Sequence, residues 1–196
     1  CPVCGQWGTY IEEKTERQMI AQKAPKIVSS GARPLKLHEV EATHEIRIDM
    51  HNCELNRVLG GGLVPGSLVL IGGEPGIGKS TLALQVLMKL GEIKTLYASG
   101  EESTKQIKLR AERLDGNPAN LFILSETSLE KILEYTTELK PDIVVIDSIQ
   151  TIGTETIDAT IGSLSQVREC AAILLRFAKE KNIPFLIVGH INKEGS

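Results

Sequence analysis

Gly73-Glu74-Pro75-Gly76-Ile77-Gly78-Lys79-Ser80 sits between two segments of opposite character. Before it, Ser67-Leu68-Val69-Leu70-Ile71 is short, apolar and β-branched, as a buried strand is. After it, Thr81 to Leu90 has helical character and stops at Gly91, a suitable residue just past a helix end. The eight residues satisfy G-x-x-x-x-G-K-[ST], the phosphate-binding loop. Glycines there let successive backbone N–H groups turn inward around phosphates. Lys79 is then expected to reach the β and γ oxygens, and the Ser80 hydroxyl to ligate Mg²⁺. The helix N-terminus adds its partial positive charge to the same anion site. Strand, loop and helix in this order predict an α/β protein that handles a nucleoside triphosphate.

Outward from the loop, strand and helix alternate from about Ile46 onward. Thr95 to Ser99 reads as a second strand, Ser103 to Leu114 as a helix, and Gly116-Asn117-Pro118 as its break. Leu121 to Leu124 is a third strand. Thr127 with Glu130 has the spacing of a capping box and opens a helix to about Leu139. Asp142 to Asp147 is a fourth strand, and Ser163 with Gln166 repeats the capping spacing before a helix to about Lys181. Pro184 leads into a fifth strand, Phe185 to Gly189. Nearly all-apolar strands joined through helices predict a mostly parallel sheet covered on both faces. Ligands on such sheets bind at the carboxyl ends of the strands.

Polar residues at those ends therefore read as one site. Asp147 closes the apolar run Ile143 to Ile146 and is placed to hold Mg²⁺ beside Ser80. A lone strand-end Asp is otherwise a cap or turn residue. Glu101 and Glu102 follow the second strand, and hydrolysis needs a carboxylate to orient and polarise water. One of the two is the expected base, with Glu101 preferred because it lies nearer the strand; helix-start electrostatics is the alternative role. His190 follows the fifth strand and is either a γ-phosphate sensor or a solvated loop residue. His38, His44 and His51 lack metal-ligand spacing and are expected to face solvent.

The 196-residue chain is long enough for one domain with a sizeable core and a small appendage, and carries a net charge of −3. That charge gives no general attraction to nucleic acid. No apolar run approaches a membrane span, and Cys1-Pro2-Val3-Cys4 lacks a signal-peptide layout. Four cysteines beside a nucleotide loop point to a reducing, cytoplasmic setting. Cys1 and Cys4 form a C-x-x-C knuckle followed by Gly5, half of a structural zinc ribbon; a redox pair and an incidental pair are the alternatives. One knuckle and no Met at residue 1 predict a chain that begins inside a longer protein. The expected organisation is a partial zinc finger over 1–11, a linker over 12–45 broken by Pro25, Gly31 and Pro34, and an ATPase-type domain over 46–196.

Several stretches together resemble one family. They are Leu59 to Gly66, Gly72 to Thr81, the Cys1 to Trp7 knuckle, Tyr97 to Ser103, Asp147 to Thr151, Ser165 to Cys170 and Gly189 to Gly195. The chain resembles the RecA-fold ATPases and, within them, the bacterial RadA (Sms) DNA-repair family. The resemblance implies a RecA-like core that binds ATP and Mg²⁺ through Gly73, Glu74, Pro75, Gly76, Ile77, Gly78, Lys79, Ser80 and Thr81. It makes Asp147 the Walker B acid, Glu101 the water activator, and His190 with Lys193 part of the segment that couples nucleotide state to DNA. It implies a four-cysteine zinc finger, with Cys1 and Cys4 as its surviving half, and a Lon-like C-terminal domain. Single-stranded DNA, recombination intermediates, a RecA-type recombinase and further copies in a hexameric ring are the implied partners, with no membrane role. In such rings a cation from the neighbouring subunit completes the site. Asn192 departs from the family pattern, which has Thr there. The chain is expected to lack the first knuckle, the end of the ATPase core and the Lon-like domain. A signalling or clock ATPase of the KaiC type, or a nucleotide-binding module without turnover, are the competing readings.

Overall fold

The computed structural model describes residues 34–39, 46–116 and 118–190. The chain divides into two units, Cys1–Thr43 and His44–Ser196. In the first unit the described residues form a single 3-10 turn, Leu37–Glu39, with Leu35 and Leu37 exposed. The Cys1–Cys4 knuckle, most of the expected linker, His44, Asn192 and Lys193 lie outside the described residues.

The second unit opens with a short helix, α1 (Cys53–Val58), capped by Asn52, whose side chain accepts from the Leu55 N–H. Five strands and four longer helices then alternate: β1 (Leu68–Gly73), α2 (Lys79–Met88), β2 (Thr95–Ser99), α3 (Thr104–Ala111), β3 (Leu121–Ser125), α4 (Leu129–Leu139), β4 (Ile143–Asp147), α5 (Leu164–Lys181) and β5 (Phe185–His190). All strand pairs are parallel and the order across the sheet is β1-β5-β4-β2-β3. This is the five-stranded α/β architecture of a RecA-like P-loop core, as the alternation of elements predicts.

The period-2 alternation of a strand explains the two layers. Ile143 and Val145 of β4 join Leu84, Leu87 and Ile107 from α2 and α3 in one core. Val144 and Ile146 turn the other way and pack with Ile132 of α4 and Cys170 and Leu174 of α5. Since both faces are covered, β2 and β4 are buried at every position. At roughly 25 cal/mol per Å² of apolar surface, these two layers supply the main drive for folding. Among the described residues no helix is long and apolar enough to cross a membrane.

Several element boundaries differ from the sequence reading. Helix α2 starts at Lys79, not Thr81, because Gly78 takes a left-handed φ of 97° and serves as its N-cap. Helix α3 ends at Ala111, and the next residues to Leu114 continue only as turns. Its start is a true capping box between Ser103 and Gln106. For α4 the cap is Ser128 rather than Thr127, and the Glu130 side chain accepts from the Ser128 hydroxyl, the Thr154 hydroxyl and the Glu155 N–H. At α5, Ser163 caps as expected, but the Gln166 side chain leaves the helix for the preceding loop.

Candidate nucleotide site at the carboxyl edge of the sheet

The strand order converts distant sequence positions into neighbours. With β5 between β1 and β4, Gly73 pairs with His190 and Asp147 with Val188. With β2 beside β4, Ser99 pairs with Asp147. The phosphate loop, Glu101, Asp147 and His190 thus converge on one edge.

Lys79 is buried, and its Nζ donates to the Gly73 carbonyl at 2.9 Å and the Glu74 carbonyl at 2.8 Å. It also meets His190 Nδ1 at 3.2 Å. An ammonium has only donors, so Nδ1 accepts and the His190 proton sits on Nε2. That nitrogen faces Glu101 Oε1 at 3.3 Å. The same Glu101 oxygen accepts from Ser148 Oγ at 2.6 Å. Lys79, His190, Glu101 and Ser148 therefore form one continuous chain. Gln150 clamps the backbone of His190, donating to its carbonyl and accepting from its N–H.

On the other side of Lys79, the Ser80 hydroxyl donates to Asp147 Oδ1 at 2.9 Å. Tyr97 donates its phenol proton to Oδ2 of the same carboxylate. Burial, then the adjacent Asp147 carboxylate, raise the Tyr97 pKa far above its ordinary value, so the phenol keeps its proton. Arg110 Nη2 donates to Tyr97 Oη at 3.1 Å and pairs with Glu102 at 2.7 Å. The two glutamates thus face different partners, Glu101 the histidine and Glu102 the arginine. Ser99 Oγ holds the backbone N–H groups of both.

Glu74, Pro75, Gly76, Ile77 and Gly78 are exposed along the loop, and Thr81 is exposed on the first turn of α2. Gly76 and Gly78 both have left-handed φ, and a Cβ on either would meet nothing within 4 Å. The loop requires glycine for its turn, and the space in front of it is open to a ligand. Ser80 and Asp147 present one hydroxyl and one carboxylate, the hard-oxygen pair that suits Mg²⁺ when phosphates and water complete the octahedron. Among the described residues no group of three or more His, Cys, Asp and Glu forms a metal site. The residues present fit both ATP and Mg²⁺. Cys1 and Cys4 lie outside the described residues; Cys53 is exposed and Cys170 buried, both free.

Sequence reasoning missed Tyr97, Arg110, Ser99, Ser148 and Gln150. Tyr97 carried a signal, because a phenol inside an apolar strand needs a hydrogen-bond partner. Arg110 carried none, since its partners lie on other elements.

The family model described as an AAA domain matches residues 32–196. DNA repair protein RadA of Bacillus subtilis is 50% identical over 200 residues, covering all of this chain and 44% of that protein. RadA of Halalkalibacterium halodurans is 48% identical over 201 residues and that of Campylobacter jejuni 46% over 199, each with 44% of its length covered. The chain belongs to the AAA-domain family, in its RadA (Sms) branch. It spans less than half the length of these RadA relatives. In this RadA-family chain the phosphate loop and its four polar partners come from four separate segments, Gly73–Ser80, Glu101, Asp147–Ser148 and His190, all inside the matched region.

Proposed function

We propose that the chain carries a Mg²⁺-dependent ATPase site which, in the whole protein, works in recombinational DNA repair. The observation that carries this reading is the Glu101 carboxylate, partly exposed and hydrogen-bonded to Ser148 and His190, on the same sheet edge as the Ser80–Asp147 pair. ATP lies along the loop with its phosphates toward the N-terminus of α2. Lys79 leaves its carbonyl and histidine partners for the β and γ oxygens and balances their charge. Ser80 and Asp147 hold Mg²⁺, which supplies further charge neutralisation on the phosphates when bound. Glu101 orients a water in line with the γ-phosphorus and takes its proton as the new P–O bond forms and the bond to the bridging oxygen breaks. Ser148 fixes the carboxylate for that role.

His190 senses the nucleotide. Departure of Lys79 toward phosphate frees the His190 Nδ1, so the ring can move. Coupling of that movement to single-stranded DNA, branch migration of recombination intermediates, action beside a RecA-type recombinase, assembly into a homo-hexamer and zinc binding through Cys1 and Cys4 belong to the same proposal. The relatives' name, DNA repair protein RadA, supports the DNA-repair part of it.

The test is ATP turnover by the full chain, and by a version extended to the length of its relatives, with and without single-stranded DNA. Turnover that DNA accelerates and that falls about 100-fold or more in Lys79→Ala supports the reading. A DNA-independent rate favours a signalling-type ATPase. Binding of ATP without turnover in both forms leaves only a nucleotide-binding module.

A further inference from the structure

Asp147 has more neighbours than the motif requires. Its Oδ1 takes the Ser80 hydroxyl and its Oδ2 takes the Tyr97 phenol. Tyr97 Oη in turn accepts a hydrogen bond from Arg110, whose Nη2 is also paired with Glu102 at 2.7 Å and lies 3.9 Å from Asp147 Oδ2. All four groups sit under the sheet edge. Tyr97 is fully buried, Asp147 nearly so, and the Arg110 side chain is 18% exposed. The phenol is therefore the hinge of a four-membered chain, Glu102–Arg110–Tyr97–Asp147.

The geometry points to Tyr97 and Arg110 as positioning residues that fix which oxygen of Asp147 faces the metal, with Glu102 as the anchor of the chain rather than a base. A free carboxylate can rotate and offer either oxygen or both. Here the phenol proton occupies Oδ2, so Oδ1 alone is presented beside the Ser80 hydroxyl. Backbone register supports this division: Tyr97 pairs with Val145, two residues before Asp147, so both side chains leave the sheet on the same face. Arg110 reaches them from the last turn of α3, held by a hydrogen bond to Tyr97 and an ion pair with Glu102. Metal-ligating carboxylates commonly owe their orientation to such outer partners, and losing one costs about 10–100-fold in metal affinity. The assignment rests on the proposed role of Asp147 as a Mg²⁺ ligand.

The test measures binding, not turnover. A fluorescent ATP analogue is titrated into the full chain in excess Mg²⁺ and again in EDTA, and the ratio of the two affinities is compared among variants. Asp147→Asn should abolish the gain from Mg²⁺, which checks the metal reading itself. Tyr97→Phe keeps the ring and should cut the gain about 10-fold or more while the affinity in EDTA stays unchanged. Arg110→Gln should act in the same direction, and Arg110→Lys, which keeps the charge, should lose less. A purely structural role would lower both affinities together and leave the ratio alone. Should Tyr97→Phe lose its folded circular dichroism spectrum, Arg110→Gln decides the matter, since its side chain reaches solvent. A full Mg²⁺ gain in these variants with loss in Asp147→Asn overturns the positioning role but spares the metal site. A full gain in Asp147→Asn overturns both.

Discussion

Glu101 and Glu102 are adjacent in sequence and similar in charge, yet their environments separate them. Glu101 is held by Ser148 Oγ and His190 Nε2, with an edge open to solvent where a water could sit. Glu102 is instead paired with Arg110, its side chain about as exposed as that of Glu101. A base must reach the water whose proton it takes, and the ion pair with Arg110 is what sets Glu102 apart from that role in the proposed mechanism. Glu101→Gln is expected to bind ATP as the parent does but to lose turnover by about 100-fold or more, as removal of a positioned proton acceptor does. Glu102→Gln should keep turnover within about 10-fold at saturating Mg²⁺, its defect being one of metal affinity. Single-turnover assays with matched nucleotide-binding titrations distinguish the two. Equal losses in both variants would remove the division of roles.

The loop between β4 and α5 is the element on which the site depends most, because Ser148 and Gln150 both belong to it. It lies close against the Glu101 turn: a Cβ on Gly100 would sit 2.5 Å from Thr151 Oγ1, so that contact requires glycine. Farther along, buried Gln166 accepts from the Thr154 N–H and donates to the carbonyls of Thr154 and Ala159. Gln166→Leu keeps the bulk and strands those groups, so a loss of about 2–3 kcal/mol in urea denaturation is expected. Glu130 braces the same loop. Burial alone would raise its pKa, but hydrogen bonds from the Thr154 hydroxyl, the Glu155 N–H and Ser128 hold it below the ordinary 4.5. A depressed carboxylate stabilises the fold above its unfolded pKa and ceases to do so as pH falls through the folded value. Glu130→Gln should therefore melt below the parent at neutral pH, with the gap closing as pH drops beneath 4.5. A gap that persists in acid would assign the effect to packing. The sequence revealed that Ser163 and Gln166 mark a helix start, since the cap is local. It did not reveal that Gln166 and Glu130 serve the loop, since their partners lie 12 and 24 residues away.

Over the whole molecule, apolar runs and capping residues made the five strands, their parallel sense and the carboxyl-edge location of the site legible. Strand order was not, because it is decided by which layers close the two cores, a property of all elements at once. That order, with β5 between β1 and β4, brings His190 to Lys79. Among the described residues it also leaves the site short of mobile positive charge. Lys79 is the cation at the phosphate loop, and Arg110 is engaged by Glu102 and Tyr97 beneath it. A γ-phosphoryl group in transfer gains from a further cation over its outer oxygens, commonly worth about 10³-fold or more in rate. If a neighbouring copy supplies that cation, turnover per chain depends on assembly. The extended protein should then show ATP turnover per chain that rises with concentration over about a 100-fold range, in step with mass by light scattering, because association follows mass action. Turnover per chain that stays constant while scattering moves from monomer to oligomer would place the missing charge inside a single copy.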